Sequence, residues 1–99
     1  MADDSAQTKE PLDVGAMLLM MVEQLAAIGW SKLGLQPDLI TGQIAKDLEQ
    51  AKLAIDALAS LAAVVEANLE EDDRRQVQRI VRDLRLNYVE KHKEAHGGA

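Results

Sequence analysis

The chain has 99 residues and a mass of 10.8 kDa, enough for one small domain and too little for two hydrophobic cores. It contains 15 alanines and 14 leucines, only 2% aromatic residues and no cysteine. Side chains that suit a pleated sheet are scarce, which disfavours an all-β domain. The lack of cysteine excludes disulfides, thiolate catalysis and cysteine-ligated metals.

Charge is distributed unevenly along the chain. Residues 1–73 carry 4 basic and 14 acidic side chains, a net charge of −10, whereas residues 74–99 carry 7 and 3, a net charge of +4. The total of −6 and the pI near 4.8 disfavour non-specific nucleic-acid binding. A basic face in the C-terminal part remains the place where an anion would bind.

Residues 1–12 are predicted to form a disordered acidic arm, without the basic leader that precedes the apolar run of a secretory signal. The most apolar stretch, 14–30, has 17 residues and is interrupted by Glu23 and Gln24. A membrane span needs about 20 apolar residues, and this stretch also lacks basic residues on both flanks. We therefore expect a cytoplasmic protein that does not bind membranes.

The first helix is predicted over about residues 13–33. Asp13 suits an N-cap, and Gly34 can adopt the left-handed conformation with which many helices end. Apolar residues cover most of its circumference and leave a narrow polar strip that includes Glu23. Such a helix needs to be enclosed by protein or lipid, and the sequence disfavours lipid.

An irregular connection follows over residues 34–46. Pro37-Asp38 and Thr41-Gly42 are turn signals. We expect the connection to lie against the helices through three apolar anchors, Leu39, Ile40 and Ile44.

The second helix, about residues 48–67, begins after Asp47, which has Gln50 three residues on, as in a capping box. Two apolar rows run along it. The first row recurs at intervals of three and four residues, as in a heptad seam: Leu48, Ala51, Ile55, Leu58, Ala62, Val65 and Leu69. The second row lies on another side: Leu53, Ala57, Leu61 and Val64. This helix therefore needs neighbours on at least two faces.

The third helix is predicted over about residues 71–92. Acidic residues 70–73 lie where the helix dipole favours negative charge. Its predicted core face consists of Val77, Ile80, Val81, Leu84 and Tyr88. The spacing predicts two ion pairs, Glu71 with Arg75 and Arg79 with Asp83. Arg82 and Arg85 have no acid three or four residues away, so their partners lie on another helix, another subunit, a ligand or in solvent.

Residues with catalytic chemistry are sparse. His92 and His96 are four residues apart, a spacing that can bind a metal, but no third ligand accompanies them. Ser31 and Ser60 have no histidine nearby in sequence to act as a base. We predict a protein that is not an enzyme, with no catalytic residue, no metal and no cofactor.

Several strings together resemble the uncharacterised bacterial family named domain of unknown function 1844. They run from Asp47-Leu48 through Leu61, continue with Asn68-Leu69, and end with the most specific string, 83–89, Asp-Leu-Arg-Leu-Asn-Tyr-Val. The resemblance covers about residues 14–90 and implies a small, cytoplasmic, helical protein. Glu70 stands where the family pattern has a capping threonine, which puts the geometry of that cap in doubt. The family has no assigned activity, so it implies no catalytic residue.

These observations predict an all-α fold in which a three-helix chain packs as a helical bundle completed by a second subunit. Residues 13–93 form the single domain, and 94–99 form a flexible tail. We expect a non-enzymatic scaffold or protein-interaction module that is a homodimer or higher oligomer. The predicted interface consists of Met17, Met20, Met21, Leu25, Ile28, Leu53, Ile55, Leu58, Leu61 and Val64.

The alternative function is an adaptor for an anion or RNA. It would use a face of the third helix formed by Arg75, Arg79, Arg82, Arg85 and Leu86. Guanidinium groups suit phosphate, whereas the acidic total and the scarcity of aromatic residues disfavour RNA. The same helical surface is also a possible dock for a protein, with Leu86 and Trp30 as anchors.

Overall fold

The computed structural model describes residues 10–97, which form three α-helices and one short 3₁₀ turn and include no strand. The all-α, three-helix prediction is confirmed. Residues 1–9 of the predicted arm, and residues 98–99 of the predicted tail, lie outside the described residues. The elements are α1 (Val14–Lys32), α2 (Leu48–Val65), the 3₁₀ turn (Glu66–Asn68) and α3 (Glu71–Ala95).

The predicted helix boundaries follow from local hydrogen bonds. The Asp13 carboxylate accepts from the Ala16 amide at 2.8 Å, and the Asp47 carboxylate accepts from the Gln50 amide at 3.1 Å. Each carboxylate thereby satisfies a donor that the first turn leaves free. Gly34 follows α1 with a φ of +82°, as predicted. Glu70 precedes α3 without a side-chain capping bond, and α3 ends three residues beyond the predicted position 92.

α1 and α2 form an antiparallel hairpin. The Asp47 amide donates to the Lys32 carbonyl at 2.8 Å and joins the end of α1 to the start of α2. The heptad row of α2 lies inside the hairpin and supplies much of the core. The predicted spacing of three and four residues along this row is thereby confirmed. The buried core cluster consists of Val22, Ala26, Leu33, Ala51, Ile55, Leu58, Ala62, Val77 and Leu84.

α3 packs across one side of this hairpin and contacts both of its helices. Gly29 of α1 faces side chains of both other helices. A Cβ atom at Gly29 would lie 3.3 Å from Leu84 Cδ2 and 3.7 Å from Ile55 Cγ1. The missing side chain therefore lets the backbone of α1 approach α2 and α3 at one point.

The domain is a thin, elongated block with principal extents of 60 × 32 × 18 Å. A helix with its side chains is about 10 Å across, so the shortest extent corresponds to two helix layers. The hairpin is one layer and α3 is the other. The radius of gyration, 16.6 Å, exceeds the value of about 13 Å typical of a compact chain of this length.

The connection between α1 and α2 corrects one prediction, because its expected anchors are exposed. Ile40 is 91% exposed, and Leu39 and Ile44 are also largely exposed. The Asp38 carboxylate accepts hydrogen bonds from the Ile40 and Thr41 amides at 2.8 and 3.1 Å. The turn is thus closed by its own hydrogen bonds, and its apolar side chains are not needed to hold it against the helices.

Arg74 fixes the corner between α2 and α3. Its guanidinium donates to the backbone carbonyls of Leu69 at 2.8 Å and Glu66 at 3.3 Å. A third hydrogen bond, of 3.0 Å, reaches the Glu71 carboxylate. The end of a helix leaves carbonyl groups without partners, and Arg74 supplies donors to two carbonyls at this corner.

We predict that Gly29→Leu destabilises the protein. The added side chain has to displace Leu84 and Ile55, and overpacking of this kind typically lowers the free energy of unfolding by about 1–3 kcal/mol. Chemical denaturation at one fixed protein concentration measures the change. Gly29→Ala is the control. It adds one methyl group and improves helix propensity by about 1 kcal/mol, so its free energy of unfolding should fall less than that of Gly29→Leu. Equal stability of Gly29→Leu and wild type would contradict the close approach.

Candidate functional site

The second apolar row of α2 lies on the edge of the helix that faces away from α3. On a helix with 3.6 residues per turn, Ala59 and Ala63 lie to one side of the core row of α2. They line the junction between α2 and α3. Leu53, Ala57 and Val64 follow the core row on the opposite side. These three residues are exposed, so α3 leaves this edge of α2 uncovered.

A matching edge of α1 lies beside it. The two helices are antiparallel. Residues that lie on the same rotational side of the core row, about each helix's own axis, therefore lie on the same outer side of the hairpin. Relative to Val22 in the core, that edge of α1 carries Met17, Met21, Leu25 and Ile28, with Met20 next to them. We define the hairpin face as Met17, Met20, Met21, Leu25, Ile28, Leu53, Leu61 and Val64.

The structure divides the residues predicted at the interface into three groups. Met20, Met21, Leu53 and Val64 are 53%, 44%, 64% and 62% exposed. Four are half-buried along the hairpin face: Met17, Leu25, Ile28 and Leu61. Ile55 and Leu58 are corrected to the core of the single chain, because the heptad row that contains them is covered by α1 and α3.

The connection extends the hairpin face at one end, which the sequence did not indicate. Leu39 and Ile40 line a cavity of about 240 Å³ together with Ile28, Ser31 and Lys32. Lys32 Nζ lies 3.6 Å from the Asp38 carboxylate and ties the turn to the end of α1. The exposed side chains of the turn therefore lie next to the apolar edge of α1.

A second surface, the α2–α3 groove, lies on the other edge of α2. It has a volume of about 600 Å³, and it includes three of the five residues predicted for the anion or partner face. Arg82, Arg85 and Leu86 line it, whereas Arg75 and Arg79 do not. The groove is lined by Ala59, Ala62, Ala63, Glu66, Gln78, Val81, Arg82, Arg85, Leu86 and Val89.

The ion pairs of α3 agree only partly with the predicted pairing. Arg75 lies 3.4 Å from Glu71, as predicted. The predicted Arg79–Asp83 pair is wrong, since Arg79 donates to the Gln76 amide oxygen at 3.2 Å and Asp83 lies 3.5 Å from Arg82. Each solvent-exposed arginine can reach several acceptors at small free-energy differences, so spacing alone does not select one.

Two groups have pKa values that their hydrogen bonds shift. The Ile40 and Thr41 amides lower the pKa of Asp38, because they donate to its ionised form, and Lys32 adds to the effect. The Asp56 carboxylate, 2.8 Å from Lys52 Nζ, raises the pKa of that lysine. Asp38 lines the end of α1 beside Lys32, and Lys52 lines a cavity of about 230 Å³ together with Asp56, Arg85 and Tyr88.

The two histidines lie at the end of α3, where the His92 and His96 rings stack with centroids 4.1 Å apart. His96 Nδ1 lies 3.1 Å from the His92 carbonyl oxygen. Within residues 10–97, no three histidine, cysteine, aspartate or glutamate side chains are grouped so as to hold a metal ion. Two imidazoles are fewer than the three or four protein ligands of a typical zinc site.

Among the described residues, α1 is the helix whose length and composition would allow it to cross a membrane. It also contributes Val22 and Ala26 to the core. Core helices of soluble proteins and signal sequences pass the same test of length and composition. The absence of membrane binding therefore stays a prediction from the sequence.

Comparison with known proteins gives one match. A family model described as "Domain of unknown function (DUF1844)" matches residues 16–90, in agreement with the resemblance noted in the sequence. No curated protein and no solved structure matches the chain.

We predict that the Asp38 carboxyl titrates below its ordinary pKa of 3.8. A lowered pKa in the folded state means that the carboxylate stabilises the turn above the ordinary pKa and loses this contribution as the pH falls through the folded value. Carbon NMR of the Asp38 carboxyl measures the midpoint, and the Ile40 and Thr41 amide shifts should follow it. In Asp38→Asn these amide shifts should stop titrating. A midpoint at or above 3.8 would contradict the hydrogen-bonded turn.

Proposed function

We propose that this protein, which belongs to the DUF1844 family of domains of unknown function, is a non-enzymatic protein that self-associates through the hairpin face. The observation that carries the proposal is the exposure of four large apolar side chains on the side that α3 leaves open. These are Met20, Met21, Leu53 and Val64. Burying apolar surface yields about 25 cal/mol per Å², and a second copy supplies a matching surface.

A two-fold axis over the hairpin face gives the simplest assembly. Such an axis pairs each face with itself, so no second kind of surface is needed. Four helices, α1 and α2 from each copy, would then form a central bundle with both α3 helices outside. An ordinary specific interface buries about 800 Å² per partner.

The charge pattern also supports this assembly. The net charge of −6 opposes the approach of two copies in general, yet all eight residues of the hairpin face are uncharged. Asp56 of α2 lies on another side of the helix and is paired with Lys52 at 2.8 Å. Contact at the hairpin face therefore buries apolar groups and does not oppose like charges at its centre.

The Met side chains suit an interface between two identical surfaces. Met17, Met20 and Met21 have flexible, unbranched side chains that fill irregular gaps. Leu53 and Val64 provide fixed apolar shapes on the neighbouring helix, with the small Ala57 between them. A scaffold or interaction module whose assembled form presents α3 outward is the function that these features favour.

We predict that Leu53→Asp converts the assembly into a folded monomer of 10.8 kDa. Leu53 is 64% exposed in the single chain, so the charge is tolerated in the monomer and is costly only in an interface. Sedimentation equilibrium measures the mass, and circular dichroism measures helix content. Wild type should have at least twice the chain mass at micromolar concentration.

Two variants control this experiment. Leu86→Asp places the same charge at a residue of α3 that is 61% exposed and should leave the assembly unchanged. Leu58→Asp places it in the core and should unfold the chain. A wild-type mass of one chain at all concentrations, or an unchanged mass in Leu53→Asp, would contradict self-association through the hairpin face.

A further inference from the structure

We infer that the α2–α3 groove binds an amphipathic helix with acidic residues, contributed by a partner protein. The groove lies on the opposite edge of α2 from the hairpin face, so this inference goes beyond self-association. Both surfaces are available at the same time, because Ala59 and Ala63 line one edge of α2 and Leu53 and Val64 the other.

The groove has the shape and surface that a helix requires. Its floor carries three small side chains, Ala59, Ala62 and Ala63, which permit a close approach of another backbone. Leu86 and Val89 are 61% and 51% exposed and provide apolar contacts on the α3 side. From residue 78 to residue 89 the groove follows α3 for about 16 Å, the length of about three helical turns.

The charge in the middle of the groove favours an acidic occupant. Arg85 has no carboxylate within 4 Å among residues 10–97. The ion pair of Arg82 is with its chain neighbour Asp83, at 3.5 Å, and both side chains are exposed to solvent. Two guanidinium groups beside an apolar groove match carboxylates on the flank of an amphipathic helix.

The end of the groove at Gln78 carries an acidic group and no basic group among its lining residues. Glu66 lines it and accepts a hydrogen bond of 3.3 Å from the Gln78 side chain. Acidic residues of the occupant therefore lie near Arg82 and Arg85, and neutral polar residues lie near Glu66.

The lining favours a protein helix over RNA. Recognition of single-stranded RNA depends largely on stacking of bases against aromatic rings, and none of the ten lining residues is aromatic. The aliphatic side chains Val81, Leu86 and Val89 instead suit the leucines of an amphipathic helix spaced at three and four residues.

The probe is a fluorescent synthetic peptide of about 14 residues, with leucines at i, i+3 or i+4 and i+7 and glutamates on the flanks. A second peptide has the same composition with the leucine positions scrambled, a third has lysines in place of the glutamates, and the last probe is a labelled single-stranded RNA. Fluorescence anisotropy measures binding to the full chain. The patterned acidic peptide should bind with saturation, and the other probes at least about tenfold more weakly.

Matched variants locate the site. Arg82→Glu with Arg85→Glu should weaken binding at least about tenfold, whereas Arg75→Glu with Arg79→Glu, on the same helix outside the groove, should change it by less than about twofold. Ala63→Trp fills the groove without changing charge and should also weaken binding. The monomeric Leu53→Asp variant should bind like wild type, so failure of self-association and failure of the groove are distinguishable.

The inference would be overturned by a lack of saturable binding of the patterned peptide, by an equal loss of binding in the two arginine double variants, or by equal binding of the scrambled peptide. Preferential binding of RNA that depends on Arg82 and Arg85 would also overturn it and would favour a nucleic-acid adaptor. Retained binding in Ala63→Trp would exclude the groove itself.

Discussion

The structure depends on a mismatch between the apolar circumference of α1 and α2 and the single helix that covers them. Both helices are apolar on the core side and on a neighbouring edge, while α3 is apolar on one side and charged on the other. One amphipathic helix can cover one side of a hairpin. The two-layer block, 18 Å thick, is the result, with charged residues outside on α3 and apolar residues outside on the hairpin.

The helices were predictable because apolar periodicity and the capping residues Asp13 and Asp47 specify them, but periodicity did not separate the core from an interface. The heptad row of α2, which contains Ile55 and Leu58, is buried in the core. The second row, which contains Leu53 and Val64, is exposed on the side that α3 does not cover. The sequence assigned both rows to contacts, but it did not distinguish contacts within the chain from contacts between chains. That distinction depends on which side of the hairpin α3 covers. α3 covers the side on which Leu84 lies close to Gly29.

Features that depend on small free-energy differences between local alternatives were not predictable. Ile40 was expected to be an anchor, but the Asp38 turn is closed by side-chain-to-backbone bonds that make such anchors unnecessary. Arg79 was expected to pair with Asp83, but Gln76 offers an acceptor on the same exposed surface. The α2–α3 groove was missed because its width depends on the distance between two helices, and no spacing within one helix encodes that distance.

The corner held by Arg74 has a consequence for behaviour in concentrated electrolyte. Mobile ions screen exposed charge pairs such as Lys52–Asp56, with a Debye length of about 10 Å at 0.1 M. The carbonyls of Glu66 and Leu69 carry no net charge and are bonded directly to the part-buried guanidinium. High ionic strength therefore weakens the ion pairs along the helices more than the hydrogen bonds that Arg74 makes to the carbonyls of this corner.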